Sequence, residues 1–353
     1  MDKAKASAFM DTMLGFMNGG SMALMCSIGH RTGLFDAMAG NKSFTSQLLA
    51  ETTSLDERYV REWLSAMAAG GVVDYNPEFA EFTLPPEHAT LVTRAGGPLN
   101  VANLHQFIAL MGQVEDDVVE AFRTGAGVGY DRYPAFQALM AEQSSARFDA
   151  ALFEQIVPNI PTAEERLRRG ATLADIGCGA GHALLMLAEK YPKSEFCGYD
   201  FSEETMATAN AHATERGLTN LGFVALDAAE ISDTEVFDFV TTFDAIHDQA
   251  KPKIVLSNIF GALKPGGWYL CVEPKASSEL SENLEEPMAP YMYTVSTMHC
   301  MSVSIAGGGE GLGTAWGTEL ATEYLLDAGF RDIEPVPVKA DRANTHLVAR
   351  KPA

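Results

Sequence analysis

Glycines and a carboxylate at regular spacing make residues 172–182 the stretch best suited to bind a ligand. Gly177, Gly179 and Gly181 follow a short apolar run and precede strong helix formers, which predicts a strand, a tight turn and a helix. Glycine permits the positive φ of such a turn and lets a ligand approach the backbone closely. Asp175 precedes the glycines, and its charge would repel a pyrophosphate but suit a cation or an ammonium group. The dinucleotide spacing G-x-G-x-x-G is absent.

Two further carboxylates come where the next strands are expected to end. Asp200 ends the run 194–199, and Asp227 follows the run 221–225. Parallel strands of a doubly wound sheet present their carboxyl ends along one crevice, where ligands bind. An acid at the end of the second strand can accept the hydroxyls of a ribose, in NAD enzymes as in others. The alternative for Asp227 is a helix cap.

A histidine and two carboxylates form a second candidate cluster. His247 and Asp248 follow the fourth predicted strand, and Glu273 ends the fifth. A histidine titrates near neutral pH, so it can take the proton of a hydroxyl nucleophile. The alternative is that His247 only caps a helix or binds a backbone carbonyl. A metal site made of His247, Asp248, His299 and Cys300 is not expected, because neither pair has the spacing of the common metal motifs.

These stretches resemble motifs of known methyltransferases. The pattern D-x-G-x-G-x-G at 175–181 resembles the first motif of class I S-adenosylmethionine (SAM) methyltransferases. Residues 237–248 resemble the fourth-strand motif of plant-type small-molecule O-methyltransferases. Nearly the whole chain is similar to a bacterial group of winged-helix SAM methyltransferases that includes mycobacterial members. The stretches that carry this likeness are 29–35, 57–63, 243–249, 293–301 and 311–317.

The resemblance implies SAM as the cofactor. The amino-acid end of SAM would lie in the glycine turn, and Asp200 would accept the ribose hydroxyls. Asp227 would accept the adenine amino group, while the backbone of Ala228 would reach the adenine ring. The residues assigned to the cofactor are Asp175, Gly177, Gly179, Gly181, Asp200, Phe201, Asp227, Ala228 and Phe243.

The resemblance also implies a reaction and its catalytic groups. In plant-type O-methyltransferases the histidine that matches His247 is the general base, and the acid that matches Glu273 orients it. Asp248 is the third catalytic candidate. That family has a second acid near the position of Trp316, and this chain has none there. We expect methyl transfer to a small, largely apolar molecule, with oxygen as the favoured acceptor atom; transfer to nitrogen or to a thioether sulfur, without a required base, stays open.

Strands and helices alternate from residue 171 onward, which predicts an α/β fold. The expected form is the seven-stranded, Rossmann-like class I methyltransferase sheet, in a SAM-binding domain at 166–353. An insertion at about 274–317 is expected to build the acceptor pocket, and the loop 125–134 to fold over the ligand. The residues assigned to the acceptor are Tyr130, Asp244, Tyr291, Tyr293, Met298, His299 and Trp316.

Residues 1–165 are predicted to form a helical domain that contains a winged helix at about 43–85. Two helices are expected before residue 40, with a break at Gly19-Gly20. Acidic residues outnumber basic ones in the winged helix, and the net charge of the chain is −22. This charge argues against nucleic acid as a partner, and so against the alternative function, a SAM-sensing transcription factor. The methionines and phenylalanines of 8–34 predict a homodimer interface, although core packing would also explain them.

The remaining features of the sequence predict a cytoplasmic protein that does not enter membranes. No apolar run is long enough to cross a bilayer, and the first residues lack the pattern of a signal peptide. The five cysteines are far apart and include no C-x-x-C pair. This spacing favours free thiols in a reducing compartment over a disulfide framework.

Overall fold

The computed structural model describes residues 1–353, which form two compact units, Met1–Gly112 and Gln113–Ala353. The second unit therefore begins earlier than the boundary we expected from the sequence, between residues 165 and 166. The physical reason is packing. Phe148, Leu152 and Leu167 lie in the same hydrophobic core as residues of the large sheet, so these helices belong with the sheet.

The first unit is mostly helical and includes a small antiparallel sheet in the strand order β1-β3-β2. Its strands are β1 (Ser43–Phe44), β2 (Asp74–Asn76) and β3 (Glu81–Thr83). Its helices are α1 (Lys3–Arg31), α2 (Leu34–Ala37), α3 (Ser46–Thr53), α4 (Glu57–Ala69), α5 (Pro86–Val92), α6 (Val101–Leu104) and α7 (Gln106–Gly112), with a 3-10 helix at Arg94–Leu99.

The winged helix lies where the sequence predicts it. Side-chain caps start both of its helices, because Thr45 accepts a hydrogen bond from the amide of Leu48, and Asp56 accepts from the amide of Arg58. The apolar face of α4 is buried, and the strands β2 and β3 form the wing that follows.

Helix α1 corrects the expected break at Gly19-Gly20, because it runs without interruption from Lys3 to Arg31. Neither glycine adopts a positive φ. Ser21, directly after the glycine pair, donates its hydroxyl to the carbonyl of Met17 inside the same helix. A helical glycine costs about 1 kcal/mol relative to alanine, which weakens a helix but does not end it.

The second unit contains the large sheet and the helices that cover it. Its strands are β4 (Thr172–Ile176), β5 (Glu195–Asp200), β6 (Leu221–Ala225), β7 (Phe237–Phe243), β8 (Leu263–Pro274), β9 (Arg331–Val336) and β10 (Asn344–Arg350). Its helices are α8 (Glu115–Thr124), α9 (Phe136–Ala151), α10 (Val157–Asn159), α11 (Ala163–Arg169), α12 (His182–Lys190), α13 (Glu203–Glu215), α14 (Pro252–Ala262), α15 (Leu280–Asn283), α16 (Ala289–Val295), α17 (Met301–Ala306) and α18 (Gly317–Asp327). Short turns of other helix types lie at Tyr130–Arg132, Leu152–Ile156, Ala228–Glu230 and Ser296–Cys300.

The seven strands follow the order β6-β5-β4-β7-β8-β10-β9, which confirms the predicted class I methyltransferase fold. Strands β4 to β8 are parallel, and β10 runs antiparallel to both of its neighbours. The two faces of the sheet form separate cores, with Leu173 on one side and Ala174 and Ile176 on the other. The chain order reverses between β4 and β7, so the binding crevice is expected at their carboxyl ends.

Membrane-spanning helices are absent from the chain, since none combines the required length with the required apolar character.

Candidate active site

The glycine turn after β4 accepts no side chain without distortion. Gly177, Gly179 and Gly181 have φ values of 73°, 50° and 73°. A Cβ on Gly177 would lie 2.6 Å from the Cβ of Ala245, and one on Gly181 would overlap the ring of Phe223. Around Gly179, by contrast, a Cβ would meet open space, and only the positive φ of this residue disfavours a side chain there. The turn therefore exposes its backbone where a ligand can approach it.

Asp175 is a buried acid at the end of β4. One carboxylate oxygen accepts a hydrogen bond of 2.7 Å from the hydroxyl of Thr241. Burial raises the pKa of Asp175 to about 7, although the bond from Thr241 and the charge of Arg147 oppose the rise. A cationic group that binds beside this acid would stabilise its ionised form.

Asp200 ends β5 and Asp227 follows β6, as predicted. Asp200 accepts hydrogen bonds of 3.1 Å from the amides of Gly179 and Ser202, and burial raises its pKa against these bonds. Asp227 caps the turn Ala228–Glu230, because one of its oxygens accepts from the amide of Ala229 at 2.8 Å. The helix-cap alternative for Asp227 is thus present in the structure.

A cavity of about 450 Å³ lies at the carboxyl ends of β4, β5 and β7. Every residue that the sequence analysis assigned to the cofactor lines this cavity. Two of the residues assigned to the acceptor, Tyr130 and Asp244, also line it, and so does one catalytic candidate, Asp248. The other acceptor and catalytic candidates lie outside its wall.

Arg147 on α9 is a cavity residue that the sequence analysis missed. It donates to Asp244 at 2.9 Å and to Asp341 at 3.4 Å, and its guanidinium lies over the ring of Phe243. Its buried Nε has no hydrogen-bond partner. The sequence signal that could have revealed it is the presence of a single basic residue on the otherwise neutral or acidic helix at 136–151.

Asp244 lies directly after β7 in a left-handed conformation, with φ of 54°. Its amide still donates to the carbonyl of Val272 at 2.8 Å, so the backbone turns only after the strand pairing ends. Burial raises the pKa of Asp244, and the charge of Arg147 opposes that rise. Left-handed backbone at a non-glycine residue is strained and is common at functional sites. The side chain of Asp244 forms the ion pair with Arg147 described above, and we assign it that role first.

His247 is buried and is held by Glu273. Its Nδ1 lies 2.6 Å from Oε2 of Glu273, whose other oxygen accepts from the amide of Ile246 at 2.9 Å. Burial alone would lower the pKa of His247, but the Glu273 carboxylate and the neighbouring Cys300 oppose burial and hold the pKa well above its usual range. The ring does not line the cavity.

Trp316 corrects an expectation about the acceptor wall. It is buried, and its indole N–H donates to Oε2 of Glu273 at 3.2 Å. It therefore lies behind the His247–Glu273 pair and not beside the cavity. The indole N–H of Trp316 can pair with the carboxylate of Glu273. The second acid that plant-type O-methyltransferases have near this position would instead repel that carboxylate.

Three more acceptor candidates lie in helical turns of the insertion and outside the cavity wall. Tyr291 and Met298 do not line the cavity, and the backbone carbonyl of Met298 accepts from the hydroxyl of Tyr133. The hydroxyl of Tyr293 accepts a hydrogen bond of 2.9 Å from Asn283.

Asp248 is the catalytic candidate that faces the cavity. Its carboxylate accepts a hydrogen bond from the hydroxyl of Tyr130, which comes from the loop between α8 and α9. Burial raises the pKa of Asp248 to about 6, although the charge of His247 and the bond from Tyr130 act against it.

His299 is buried in a turn of π-helix, and three aromatic rings lie against it. Its ring stacks on Phe136 with centroids 3.9 Å apart, and the rings of Tyr130 and Tyr133 lie at 5.4 and 4.7 Å. Neither ring nitrogen has a hydrogen-bond partner. Burial lowers the pKa of His299 to about 3, so the ring is neutral.

Two family models match the chain in succession. Residues 20–94 match the Rv2258c-like winged HTH domain, and residues 167–328 match a methyltransferase domain. The chain thus contains a stretch that matches an Rv2258c-like winged helix-turn-helix domain, followed by one that matches a methyltransferase domain.

Curated relatives match part of the chain. A demethylmenaquinone methyltransferase of Listeria monocytogenes is 29% identical over 31% of this chain and 46% of its own length. A ubiquinone biosynthesis O-methyltransferase of Caulobacter vibrioides is 33% identical over 38% of this chain and 49% of its own length. The chain thus spans about half the length of the curated relatives it matches.

Solved structures match the fold over nearly the whole chain. A putative O-methyltransferase from Nostoc punctiforme has a TM-score of 0.71 at 18% identity, covering 97% of this chain and 98% of that one. Human N-acetylserotonin methyltransferase, solved in complex with SAM, has a TM-score of 0.65 at 17% identity, covering 100% and 99%. At this identity the likeness concerns the fold.

Proposed function

We propose that this protein transfers the methyl group of SAM to an oxygen atom of a small, largely apolar molecule. The observation that carries the proposal is the meeting of Asp175, Asp200 and Asp227 with the open glycine turn in one cavity. The match to a methyltransferase domain and the O-methyltransferases among the relatives support it.

The polar groups of the cavity fit SAM. Asp175 would bind the ammonium group, because it is a buried acid with no cation within hydrogen-bond distance. Asp200 would accept the ribose hydroxyls, and Asp227 with the backbone of Ala228 would bind adenine. The unpartnered Nε of Arg147 would donate to the carboxylate of the amino-acid end. SAM, when bound, supplies a methyl group on a sulfonium sulfur, and the sulfur leaves as a neutral thioether when the oxygen–methyl bond forms.

The acceptor hydroxyl has to lose its proton. Asp248 faces the cavity and would bind the hydroxyl first, while His247, oriented by Glu273, would act as the general base. The neutral imidazole is the form that can take a proton. Because Glu273 raises the pKa of His247, we expect turnover to rise with pH through a midpoint above the ordinary 6.5.

The winged helix is proposed to pack and not to bind nucleic acid. Two arginines of α4, Arg58 and Arg61, are paired with glutamates of the same helix at 2.5 and 3.4 Å. These arginines are thus already neutralised by acids, which disfavours contact with phosphates. The free state of all five cysteines is in keeping with a location in the reducing cytoplasm.

A homodimer is also proposed, with α1 as its interface. Phe9, Phe16 and Met17 on this helix are 65%, 66% and 62% exposed. Large apolar side chains clustered on one exposed helix are typical of a protein–protein interface. The occupant we propose is a second copy of the chain.

The test combines cofactor binding with turnover. Calorimetry should show that SAM binds and NAD does not, and labelled SAM incubated with extracts of small metabolites should reveal the acceptor. His247→Ala should leave the affinity for SAM unchanged and lower turnover roughly a hundredfold. His212→Ala, at an exposed position of α13, is the matched control and should change neither.

Two outcomes would contradict the proposal. Binding of NAD in preference to SAM would overturn the assignment of the cavity. Near-full turnover in His247→Gln would remove the base, because glutamine can hold a hydroxyl but cannot take its proton. A thioether sulfur, which needs no base, would then become the favoured acceptor atom.

A further inference from the structure

Tyr130 makes the contacts that a small phenol would make in the same place. Its hydroxyl donates to Asp248, which is the acid at the cavity wall. Its ring lies against the rings of Phe201, His299 and Phe136, with centroids 5.0, 5.4 and 6.0 Å away. A flat ring with one hydroxyl thus already fills an aromatic slot beside the proposed cofactor site.

The loop that carries Tyr130 is anchored on both sides of it. Before the tyrosine, the amide of Val128 donates to the hydroxyl of Ser302 at 2.9 Å. After it, the hydroxyl of Tyr133 donates to the carbonyl of Met298. Only a single helical turn, Tyr130–Arg132, lies between these anchors. Displacement of Tyr130 would therefore involve this turn, which is also held by the ion pair of Arg132 with Asp117 at 2.8 Å.

His299 supplies an independent sign that a ligand completes this slot. Its two ring nitrogens are buried without partners, and leaving a buried polar group unpaired is unfavourable. Buried polar atoms without partners call for an explanation, and pairing with a bound ligand is one. Since the ring is neutral, it can offer one donor and one acceptor, but it cannot neutralise a charge.

We propose that Tyr130 is an internal stand-in for the methyl acceptor, and that the acceptor is a phenol with a second, neutral polar substituent. This inference rests on the proposed function and names its substrate class. The acceptor ring takes the place of the Tyr130 ring, its hydroxyl replaces that of Tyr130 on Asp248, and its second substituent pairs with His299. Phenols are favoured over aliphatic alcohols because rings surround the slot on several sides. Tyr130 thereby competes with the acceptor for the slot, and molecules that bind there only weakly do not displace it.

The experiment measures binding of p-cresol, the side-chain analogue of tyrosine, to the protein saturated with S-adenosylhomocysteine. Tyr130→Ala empties the slot and should bind p-cresol at least tenfold more tightly than the wild type, because the competing hydrogen bond to a charged group is gone. Tyr130→Phe keeps the ring but frees Asp248, and it should give a smaller gain of about threefold. Toluene should gain much less than p-cresol in Tyr130→Ala, because it leaves Asp248 without a donor.

The matched control is Tyr324→Phe, which removes a tyrosine hydroxyl that also donates to a carboxylate, that of Glu310 at 2.9 Å, but outside the cavity. Since neither residue lines the cavity, the affinity for p-cresol should stay within twofold of the wild type. If Tyr130→Ala fails to bind S-adenosylhomocysteine, the comparison of Tyr130→Phe with Tyr324→Phe decides the question.

The inference is overturned if emptying or unpairing the slot leaves the affinity for p-cresol unchanged, or if toluene gains as much as p-cresol. Either result leaves the proposed methyltransferase function standing, provided that S-adenosylhomocysteine binds. Failure of the wild type to bind S-adenosylhomocysteine or SAM is a different outcome, which removes the proposed function itself.

Discussion

Glu273→Gln tests the electrostatic account of the candidate base without requiring a substrate. In the wild type Glu273 bonds to His247, to the amide of Ile246 and to the indole N–H of Trp316, all within 3.2 Å. Glutamine keeps the shape of the side chain but removes its charge. Burial then acts on the pKa of His247 without the opposition of a carboxylate.

The size of the effect follows from the geometry. An opposite charge within 4–6 Å moves a pKa by about one to three units, and the two groups here are 2.6 Å apart and buried. We expect the pKa of His247 to fall in the variant, from above its ordinary value to below it. The midpoint of the pH–turnover curve should fall with it.

The same change has a defined effect on stability. A histidine whose pKa is raised in the folded state adds stability that is fully present below about pH 6.5 and is lost as the pH rises through the folded pKa. Glu273→Gln should therefore cost more stability at pH 6 than at pH 9. A second contribution, independent of pH, adds to this cost. The glutamine amide presents a donor to groups that already donate, which should lower the free energy of unfolding by about 1–3 kcal/mol at both pH values.

The measurements are NMR titration of labelled histidines and urea unfolding at the two pH values. Glu282→Gln, an exposed position in the same insertion, is the control and should change neither. If the pKa of His247 in Glu273→Gln stays the same or rises, then Glu273 does not set its charge, and our reasoning about the base is refuted.

Three further predictions concern ligand binding and assembly. Asp200→Ala should weaken SAM binding about tenfold or more by calorimetry, because buried hydroxyls lose their acceptor, whereas the exposed control Asp327→Ala should not; equal affinities would remove the ribose assignment. SAM affinity should rise with pH through about 7 as Asp175 ionises, and Asp175→Asn should flatten that dependence; a pH-independent wild type would contradict the role of this acid. Light scattering should show a dimer in the wild type and a monomer when Phe9→Glu and Phe16→Glu are combined, and a monomeric wild type would leave α1 unexplained.

The parts of the site that follow a strand could be predicted from the sequence. The position of Asp175, Asp200 and Asp227 depends only on where three strands end, and apolar runs mark strands clearly. The glycine turn is equally local, since the backbone conformation it needs is available to few other residues. These residues do meet in one cavity.

Contacts between distant parts of the chain could not be predicted in this way. Arg147 reaches the cavity through an ion pair with a residue 97 positions later, and no local pattern marks such a partner. Trp316 was assigned to the acceptor by its place in a motif, but its direction is set by Glu273. The continuity of α1 was missed because a glycine pair ends a helix only where the backbone leaves the helical conformation.

The order of strands at one side of the large sheet bears on how the catalytic unit folds. Strand β10 lies between β8 and β9, although both of these precede it in sequence. Until β10 inserts, β8 therefore presents an open edge and β9 has no partner in the sheet. Non-local pairings of this kind form slowly, and open strand edges can pair with other chains. The refolding intermediate most exposed to aggregation is consequently the one in which β10 has not yet inserted between β8 and β9.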